Sequence, residues 1–265
     1  MKGREGRRTL VMGIVNCSPD SFSGDGGASF DRALAMAGAG ADWLDVGGES
    51  TRPGAAPVSL DEELARVIPV IEAIRARVAV PISVDTMKPA VARAAFAAGA
   101  RMWNDVTALG GEDSLETAAA LGGEVVLMHM QGGPATMQDD PRYDDVLAEV
   151  TDFLAARARA AQGAGVARER IWLDPGLGFG KTAAHNLALI AGLARIAALG
   201  FPVLVGASRK GLIRAIDPTA ASPADRLGGS LAIAMAAARA GAAMVRVHDV
   251  RETVQALAVE AAIHG

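Results

Sequence analysis

Short apolar segments alternate with alanine-rich segments along this 265-residue chain, and each apolar segment ends abruptly in polar residues or glycine. Such runs are typical of buried β-strands, whereas the alanine-rich segments between them have helical spacing. The eight runs are TLVMGIVN (9–16), DWLDV (42–46), PISVD (81–85), RMWNDV (101–106), EVVLMH (124–129), RIWLD (170–174), PVLVG (202–206) and AAMVRVH (242–248). Their alternation predicts parallel strands joined by crossover helices. Eight units in about this length indicate a single (β/α)8 TIM barrel domain over residues 1–265, with an open doubly wound sheet as the alternative.

Polar side chains stand at or just past the carboxyl end of nearly every predicted strand. They are Asn16, Asp45, Asp85, Asn104, His129, Asp174, Ser208 with Lys210, and Arg246 with His248. In an α/β barrel all these ends open on one face, and that face carries the active site. Taken singly, Asp85 could cap the next helix, Asn104 could be a turn residue and His129 could be structural. The recurrence of the pattern favours an active site.

Composition narrows the classes of partner. The formal net charge is −4 and the basic residues are scattered, so we expect no nucleic-acid partner. The apolar stretch after the basic start is too short for a secretory signal, and the later apolar segment SLAIAMAAARAGAAMV is interrupted by Arg239. A lone cysteine, Cys17, agrees with a reducing compartment. We therefore expect a cytoplasmic protein without a membrane partner.

Long segments rich in Gly, Ser and Pro follow the first two predicted strands, CSPDSFSGDGGAS and GGESTRPGAAPVS. Loops of this length on the catalytic face of a barrel are usually functional, often as mobile lids. The second loop places Arg52 directly before Pro53, which suits a stiffly presented cation. We expect both loops to be mobile and to contribute to the site.

The segment DPGLGFGKT (174–182) imitates a phosphate-binding loop. That motif requires glycine at position 175, where this chain has proline, which has no N–H to offer a phosphate. As a dinucleotide fingerprint the segment also fails, because position 181 is lysine. We reject a nucleotide hydrolase, and keep a phosphate-transfer protein as the alternative class.

The blocks MGIVNCSPDSFSGDGG, DVGGESTRPGA, SVDT, NDV, LMHMQGGPATMQ, WLDPGLGFGKTAAHN, VLVGASRKG and VRVHDV resemble those of the dihydropteroate synthases, a family of pterin-binding enzymes. They run from Met12 to Val250 in the family's order. The resemblance implies a transferase of folate biosynthesis that condenses 7,8-dihydropterin-6-ylmethyl diphosphate with 4-aminobenzoate, releasing diphosphate. It also implies a homodimer, a sulfonamide target and a requirement for Mg²⁺.

The resemblance further implies three groups of binding residues. The pterin would contact Asp85, Asn104, Asp174 and Lys210; the diphosphate would contact Asn16, Arg246 and His248; and 4-aminobenzoate would contact Thr51, Arg52, Pro53, Phe179 and Ser208. Asn16 would also be the magnesium ligand. The residues expected to act in catalysis are Lys210, Arg246, His248 and Arg52.

Several points stay open at this stage. The first loop has an extra glycine relative to the commoner family form, so either Asp20 or Asp25 could be its functional aspartate. Arg209 could hold either anion, and Cys17 has no activating partner at fixed spacing, so we expect it to be a packing residue. A pterin-binding methyltransferase domain and a non-catalytic pterin-binding homologue are the alternative functions.

Overall fold

The computed structural model describes residues 8–17, 27–51, 55–134 and 136–264. Its eight strands coincide with the eight predicted segments, trimmed by at most a few residues at each end. They are β1 Leu10–Asn16, β2 Trp43–Gly47, β3 Ile82–Asp85, β4 Met102–Asp105, β5 Glu124–Met128, β6 Ile171–Asp174, β7 Leu204–Gly206 and β8 Met244–Val247.

Helices connect the strands. They are α1 Gly27–Gly38, α2 Leu60–Arg75, α3 Pro89–Ala98, α4 Ser114–Leu121, α5 Val146–Gly163, α6 Ala183–Ala191, α7 Leu193–Ala197, α8 Gly211–Ile216, α9 Leu227–Arg239 and α10 Val250–His264. None of those in the described part of the chain combines the length and apolarity needed to span a membrane.

The strands form one parallel sheet in the order β6-β5-β4-β3-β2-β1-β8-β7. Its two ends meet at a parallel bridge between Leu173 and Val203, and the Leu173 N–H donates to the carbonyl of Pro202 at 2.9 Å. The prediction of an α/β barrel is confirmed, and the open doubly wound sheet is excluded.

Helix α2 illustrates how local sequence sets the elements around the barrel. The Ser59 hydroxyl accepts a hydrogen bond from the Glu62 N–H at 3.3 Å and so caps the first turn. Val67, Ile71 and Ile74 are fully buried against the sheet. The helix continues through Pro69 to Arg75.

An apolar layer fills the inside of the barrel. It comprises Met12, Trp43, Met102, Val126, Trp172, Leu204 and Met244. Since alternate residues of a strand point to the same face, the residues two positions further along these strands also point inward. Those residues include Asp45, Asn104, Asp174 and Arg246. The strand period alone therefore places polar side chains directly above the apolar layer, towards the carboxyl face.

Candidate active site

A cavity of about 700 Å³ opens at the carboxyl ends of the strands. Eight of the predicted site residues line it: Asn16, Thr51, Asp85, Phe179, Ser208, Lys210, Arg246 and His248. The predicted residues Arg52 and Pro53, and the two loop aspartates Asp20 and Asp25, lie outside the described residues.

Asn104 and Asp174 are the two remaining predicted residues, and both are buried. The Asn104 amide Nδ2 donates to Asp45 Oδ2 at 3.0 Å, so the amide has a fixed orientation. Asp174 Oδ1 accepts a hydrogen bond from the Gly176 N–H at 2.7 Å. Asn104 is thus held by another strand of the barrel, which a simple turn residue would not require.

Three charged residues form an ion-pair cluster across the inside of the barrel. Arg246 donates from Nε to Asp45 Oδ2 at 2.5 Å and from Nη2 to Asp85 Oδ2 at 2.6 Å. Asp45 is fully buried, and its Oδ1 has no hydrogen-bond partner among the described residues. Asp85 does not cap α3, because that helix begins after Lys88. The carboxylate of Asp85 instead pairs with Arg246, and both residues line the cavity.

Burial sets the protonation of this cluster. It raises the pKa of Asp85 to about 7; Arg246 acts in the opposite direction, whereas the charges of Asp45 and Glu63 add to the increase. Burial by itself would lower the pKa of Arg246, but Asp45 and Asp85 more than compensate and raise it. Arg246 therefore stays a cation, while Asp85 can change its charge near neutral pH.

Lys210 faces the same part of the cavity. Burial lowers the pKa of its ammonium to about 8, opposed by the charge of Asp174 and reinforced by that of Arg246. Burial likewise raises the pKa of Asp174, while the Gly176 N–H and Lys210 lower it. The Lys210 Nζ is 5.0 Å from the centroid of the Phe179 ring, within cation–π range. Lys210 thus connects the carboxylate side of the cavity to its aromatic wall.

The loops after β7 and β8 are held together by side-chain contacts. His248 Nδ1 lies 3.0 Å from Ser208 Oγ, and the His248 N–H donates to the same hydroxyl at 3.2 Å. Arg209, left unassigned from the sequence, forms a double hydrogen bond with Asp249 and has a positive φ of 57°. This conformation turns the backbone between Ser208 and Lys210, and both of those residues line the cavity.

The root of the second long loop is anchored as well. Lys88 pairs with Glu49 and with the fully buried Glu63 of α2, and Glu49 also accepts from the Val58 N–H at 3.2 Å. Thr51 follows this root and lines the cavity. The mobility predicted for the two long loops stays a prediction.

Two residues near the site have roles that sequence reasoning missed. Asp45 stands at the end of the second predicted strand, but its contacts with both Arg246 and Asn104 arise only from the order in which β8, β1, β2, β3 and β4 pair. Lys181 lies in the segment that imitates a phosphate-binding loop, yet it is buried and contacts His129 Nδ1 at 2.9 Å. Burial lowers the pKa of Lys181 to about 7 and that of His129 to about 3. The contact with Lys181 agrees with the structural role that the sequence left open for His129.

The residues present are compatible with a divalent cation that is bound mainly by the phosphate oxygens of a substrate. Within the described ranges no group of three or more His, Cys, Asp or Glu side chains could bind a metal by itself. Asn16 ends β1 at the cavity and offers one amide oxygen, a hard donor of the kind that Mg²⁺ accepts. Because Mg²⁺ usually keeps several waters and binds substrate phosphates, it does not require a cage of protein ligands.

The fold and the site together define a barrel enzyme whose cavity combines buried carboxylates with a guanidinium and an ammonium. The family model described as "Pterin binding enzyme" matches residues 12–248, and the chain belongs to this family. The family resemblance drawn from the sequence is therefore confirmed.

The curated relatives that this chain matches include dihydropteroate synthases. That of Escherichia coli (strain K12) is 51% identical over 255 residues, covering 94% of this chain and 89% of the relative. That of Synechocystis is 45% identical, covering 94% and 88%.

Solved structures agree with these sequence matches. Xanthomonas albilineans dihydropteroate synthase with 4-aminobenzoic acid superimposes with a TM-score of 0.91 at 50% identity, covering 97% of this chain and 94% of the other. The same enzyme in complex with 7,8-dihydropteroate gives 0.88 at 47% identity, with the same coverage. The Yersinia pestis enzyme in a sulfonamide complex gives 0.91 at 46% identity, again with that coverage. The comparisons support the predicted activity over nearly the whole chain.

Proposed function

We propose that this protein acts as a dihydropteroate synthase, a transferase that condenses 7,8-dihydropterin-6-ylmethyl diphosphate with 4-aminobenzoate to give 7,8-dihydropteroate and diphosphate. The observation that carries the proposal is the single cavity in which Asp85, Arg246 and Lys210 meet Asn16 and His248. The likeness to synthases solved with 4-aminobenzoic acid and with 7,8-dihydropteroate supports it.

The pterin would bind deepest, against Asp85, Asn104, Asp174 and Lys210. Its 2-amino-4-oxo pyrimidine edge presents a row of N–H donors beside acceptors. A carboxylate accepts such donors with good geometry, and Lys210 donates to the acceptors. The buried carboxylates carry a desolvation cost, seen in the raised pKa values of Asp85 and Asp174, which the ligand's donors would offset.

The diphosphate would bind towards the mouth, against Asn16, Arg246 and His248. A guanidinium has five N–H donors, and the bonds from Arg246 to Asp45 and Asp85 use two of them. The remaining donors suit a phosphate oxygen. Asn16 would hold Mg²⁺, which when bound supplies positive charge to the diphosphate oxygens.

The 4-aminobenzoate would bind between the root of the second loop and the loops after β6 and β7. Thr51, Phe179 and Ser208 line the cavity there, and Arg52 with Pro53 would complete the pocket. The Phe179 ring offers an apolar face to the aromatic ligand, while Ser208 and Arg52 suit its carboxylate.

Catalysis in this arrangement is mainly electrostatic. The carbon–oxygen bond breaks, its electron pair leaves with the diphosphate, and the electron-rich pterin stabilises positive charge on the methylene carbon. The amine nitrogen of 4-aminobenzoate then attacks that carbon and loses one proton to water or to the departing diphosphate. Arg246, His248 and Arg52 stabilise the departing negative charge, and Lys210 orients the pterin. No protein nucleophile is needed. Cys17 is buried, and burial raises its pKa to about 12, which fits the expected packing role.

The finer predictions from the sequence extend this proposal. We propose that the enzyme is a cytoplasmic homodimer that uses Mg²⁺ and binds sulfonamides in the 4-aminobenzoate pocket. The sulfonamide complex of the Yersinia pestis relative supports the last point. Gel filtration coupled to light scattering tests the dimer, and inhibition competitive with 4-aminobenzoate tests the sulfonamide.

A coupled assay for diphosphate release tests the main proposal. Release should require the pterin diphosphate, 4-aminobenzoate and Mg²⁺ together, with 7,8-dihydropteroate as the second product. Binding of the pterin without release would indicate a non-catalytic homologue. Binding of a diphosphate-free pterin alone, with no effect of diphosphate, would instead favour a methyltransferase-type domain.

A further inference from the structure

The segment 174–182, which imitates a phosphate-binding loop, folds around its own lysine. Lys181 Nζ donates to the carbonyls of Phe179 at 2.9 Å, Gly176 at 3.1 Å and His129 at 3.2 Å. The residue is only 3% exposed. His129 Nδ1 lies 2.9 Å from the same nitrogen. An amino group has two N–H donors and an ammonium has three, so most of its hydrogen-bonding capacity is used by the loop carbonyls and this ring. Lys181 therefore binds the main chain around it.

Glycine makes this inward arrangement possible. Gly176 and Gly180 have positive φ values of 67° and 62°. A Cβ at position 176 would lie 1.9 Å from the carbonyl oxygen of His129, and one at 180 would lie 2.5 Å from that of Gln131. The backbone can thus pass close to the end of β5 and direct its carbonyls at the amino group. The loop and the lysine form one unit.

The same unit carries the aromatic wall of the cavity. Phe179 lies between Gly178 and Gly180, which both have positive φ values. Its carbonyl accepts a hydrogen bond from Lys181, and its ring faces Lys210. Neighbouring side chains hold the rest of the loop: Gln138 donates to the Gly178 carbonyl at 2.6 Å, and Asn186 accepts from the Gly178 N–H at 2.7 Å. The position of the Phe179 ring therefore depends on the shape of this loop.

We propose that Lys181 is a positioning residue whose buried amino group fixes the loop after β6 and so presents the Phe179 ring to the arylamine half of the cavity. Lys181 acts through Phe179 and through the carbonyls of the loop. The inference rests on the proposed function only in naming 4-aminobenzoate as the molecule that contacts the ring.

The test compares three variants. Lys181→Met keeps most of the length of the side chain but removes the amino group and its donors, and Lys181→Arg keeps N–H donors on a cation. Arg157→Met is the matched control, because Arg157 binds the carbonyls of Ala108 and Leu109 at 2.8 and 2.7 Å, in a loop that does not line the described cavity.

Steady-state kinetics give the expected result. Lys181→Met should raise the KM for 4-aminobenzoate roughly tenfold or more, while the KM for the pterin diphosphate and kcat change less than about threefold. Lys181→Arg should recover part of the loss. Arg157→Met should lower the melting temperature without changing the ratio of the two KM values. Equal losses for both substrates would instead point to the charge of Lys181 acting on nearby Asp174, and would overturn the proposal.

A second measurement needs no substrate. Amide hydrogen exchange over residues 176–180 should be faster in Lys181→Met, and in the milder Lys181→Gln if the methionine variant does not fold. It should be unchanged in Arg157→Met. Unchanged exchange in a folded Lys181 variant would refute the positioning role. If Lys181→Met exchanges faster than the parent protein over residues 176–180 but the parent releases no diphosphate, the proposed function fails while this inference stands.

Discussion

Replacing Asp85 by asparagine isolates the contribution of one charge at the floor of the cavity. The substitution keeps the shape of the side chain but removes the carboxylate that pairs with Arg246 and that we expect to accept pterin N–H donors. Because Oδ2 already accepts from Arg246, at least one bond from the other oxygen to the ligand should be lost. A hydrogen bond to a charged group contributes about 1.5–3 kcal/mol, so the dissociation constant should increase roughly 10- to 150-fold.

The fold should tolerate this change. Burial raises the pKa of Asp85 to about 7, above the value near 3.9 of an unfolded aspartate. The folded state therefore binds the proton more tightly, and the contribution of this group to stability falls as the pH rises from about 4 to about 7. At pH 8 the neutral asparagine removes that cost, which offsets part of the lost bond to Arg246. The melting temperature should change little.

Isothermal titration with a diphosphate-free pterin at pH 8 measures the effect. Asp42→Asn is the matched control, because Asp42 precedes β2, at the opposite end of the barrel, and pairs there with Arg8. The control should bind the pterin like the parent protein. Parent-like affinity in the Asp85 variant would refute the assignment of this carboxylate to the pterin site.

Three further predictions concern pH, the diphosphate and the order of binding. Pterin affinity should be highest between pH about 7 and about 8, because Asp85 is protonated below this range and Lys210 loses its proton above it. Titrations across pH 6–10 check this; if the affinity of Lys210→Arg fell at high pH as it does in the parent protein, the role of Lys210 would be contradicted. His248→Ala and Asn16→Ala should slow turnover more than they weaken binding of a diphosphate-free pterin, and equal losses would mean that both residues merely support the barrel mouth. A sulfonamide should bind free enzyme weakly and enzyme saturated with pterin, Mg²⁺ and diphosphate much more tightly, if the second loop closes through Arg52; equal affinities in the two titrations would rule out closure.

The sequence by itself determined the strands and the face on which the site lies. Each apolar run ended where a strand ends, because a buried parallel strand needs continuous apolar residues and the solvent-facing loops do not. The two-residue period then carried Asp45, Asn104, Asp174 and Arg246 inward above the apolar layer. Within the described residues, Arg246 and seven other predicted site residues line one cavity, because the carboxyl ends of the strands and the loops that follow them share one face.

Only the tertiary structure decided which of these side chains bind one another. Arg246 and Asp45 are 201 residues apart, and their contact depends on the pairing of β1 with both β2 and β8. No local pattern encodes such a pairing, since it arises from the registers of β1 with β2 and of β1 with β8.

The same limit applies to the lysine of the glycine-rich segment. Its composition suggests a phosphate ligand, whereas the missing glycine argues against one. The direction of the Lys181 side chain depends on the carbonyl of His129, which lies at the end of a different strand. A flexible side chain turns towards the acceptors that the fold brings within reach, and these acceptors belong to backbone that the local sequence does not specify. The sequence therefore determines which hydrogen-bond donors Lys181 carries, and the packing of the loop against β5 determines which acceptors bind them.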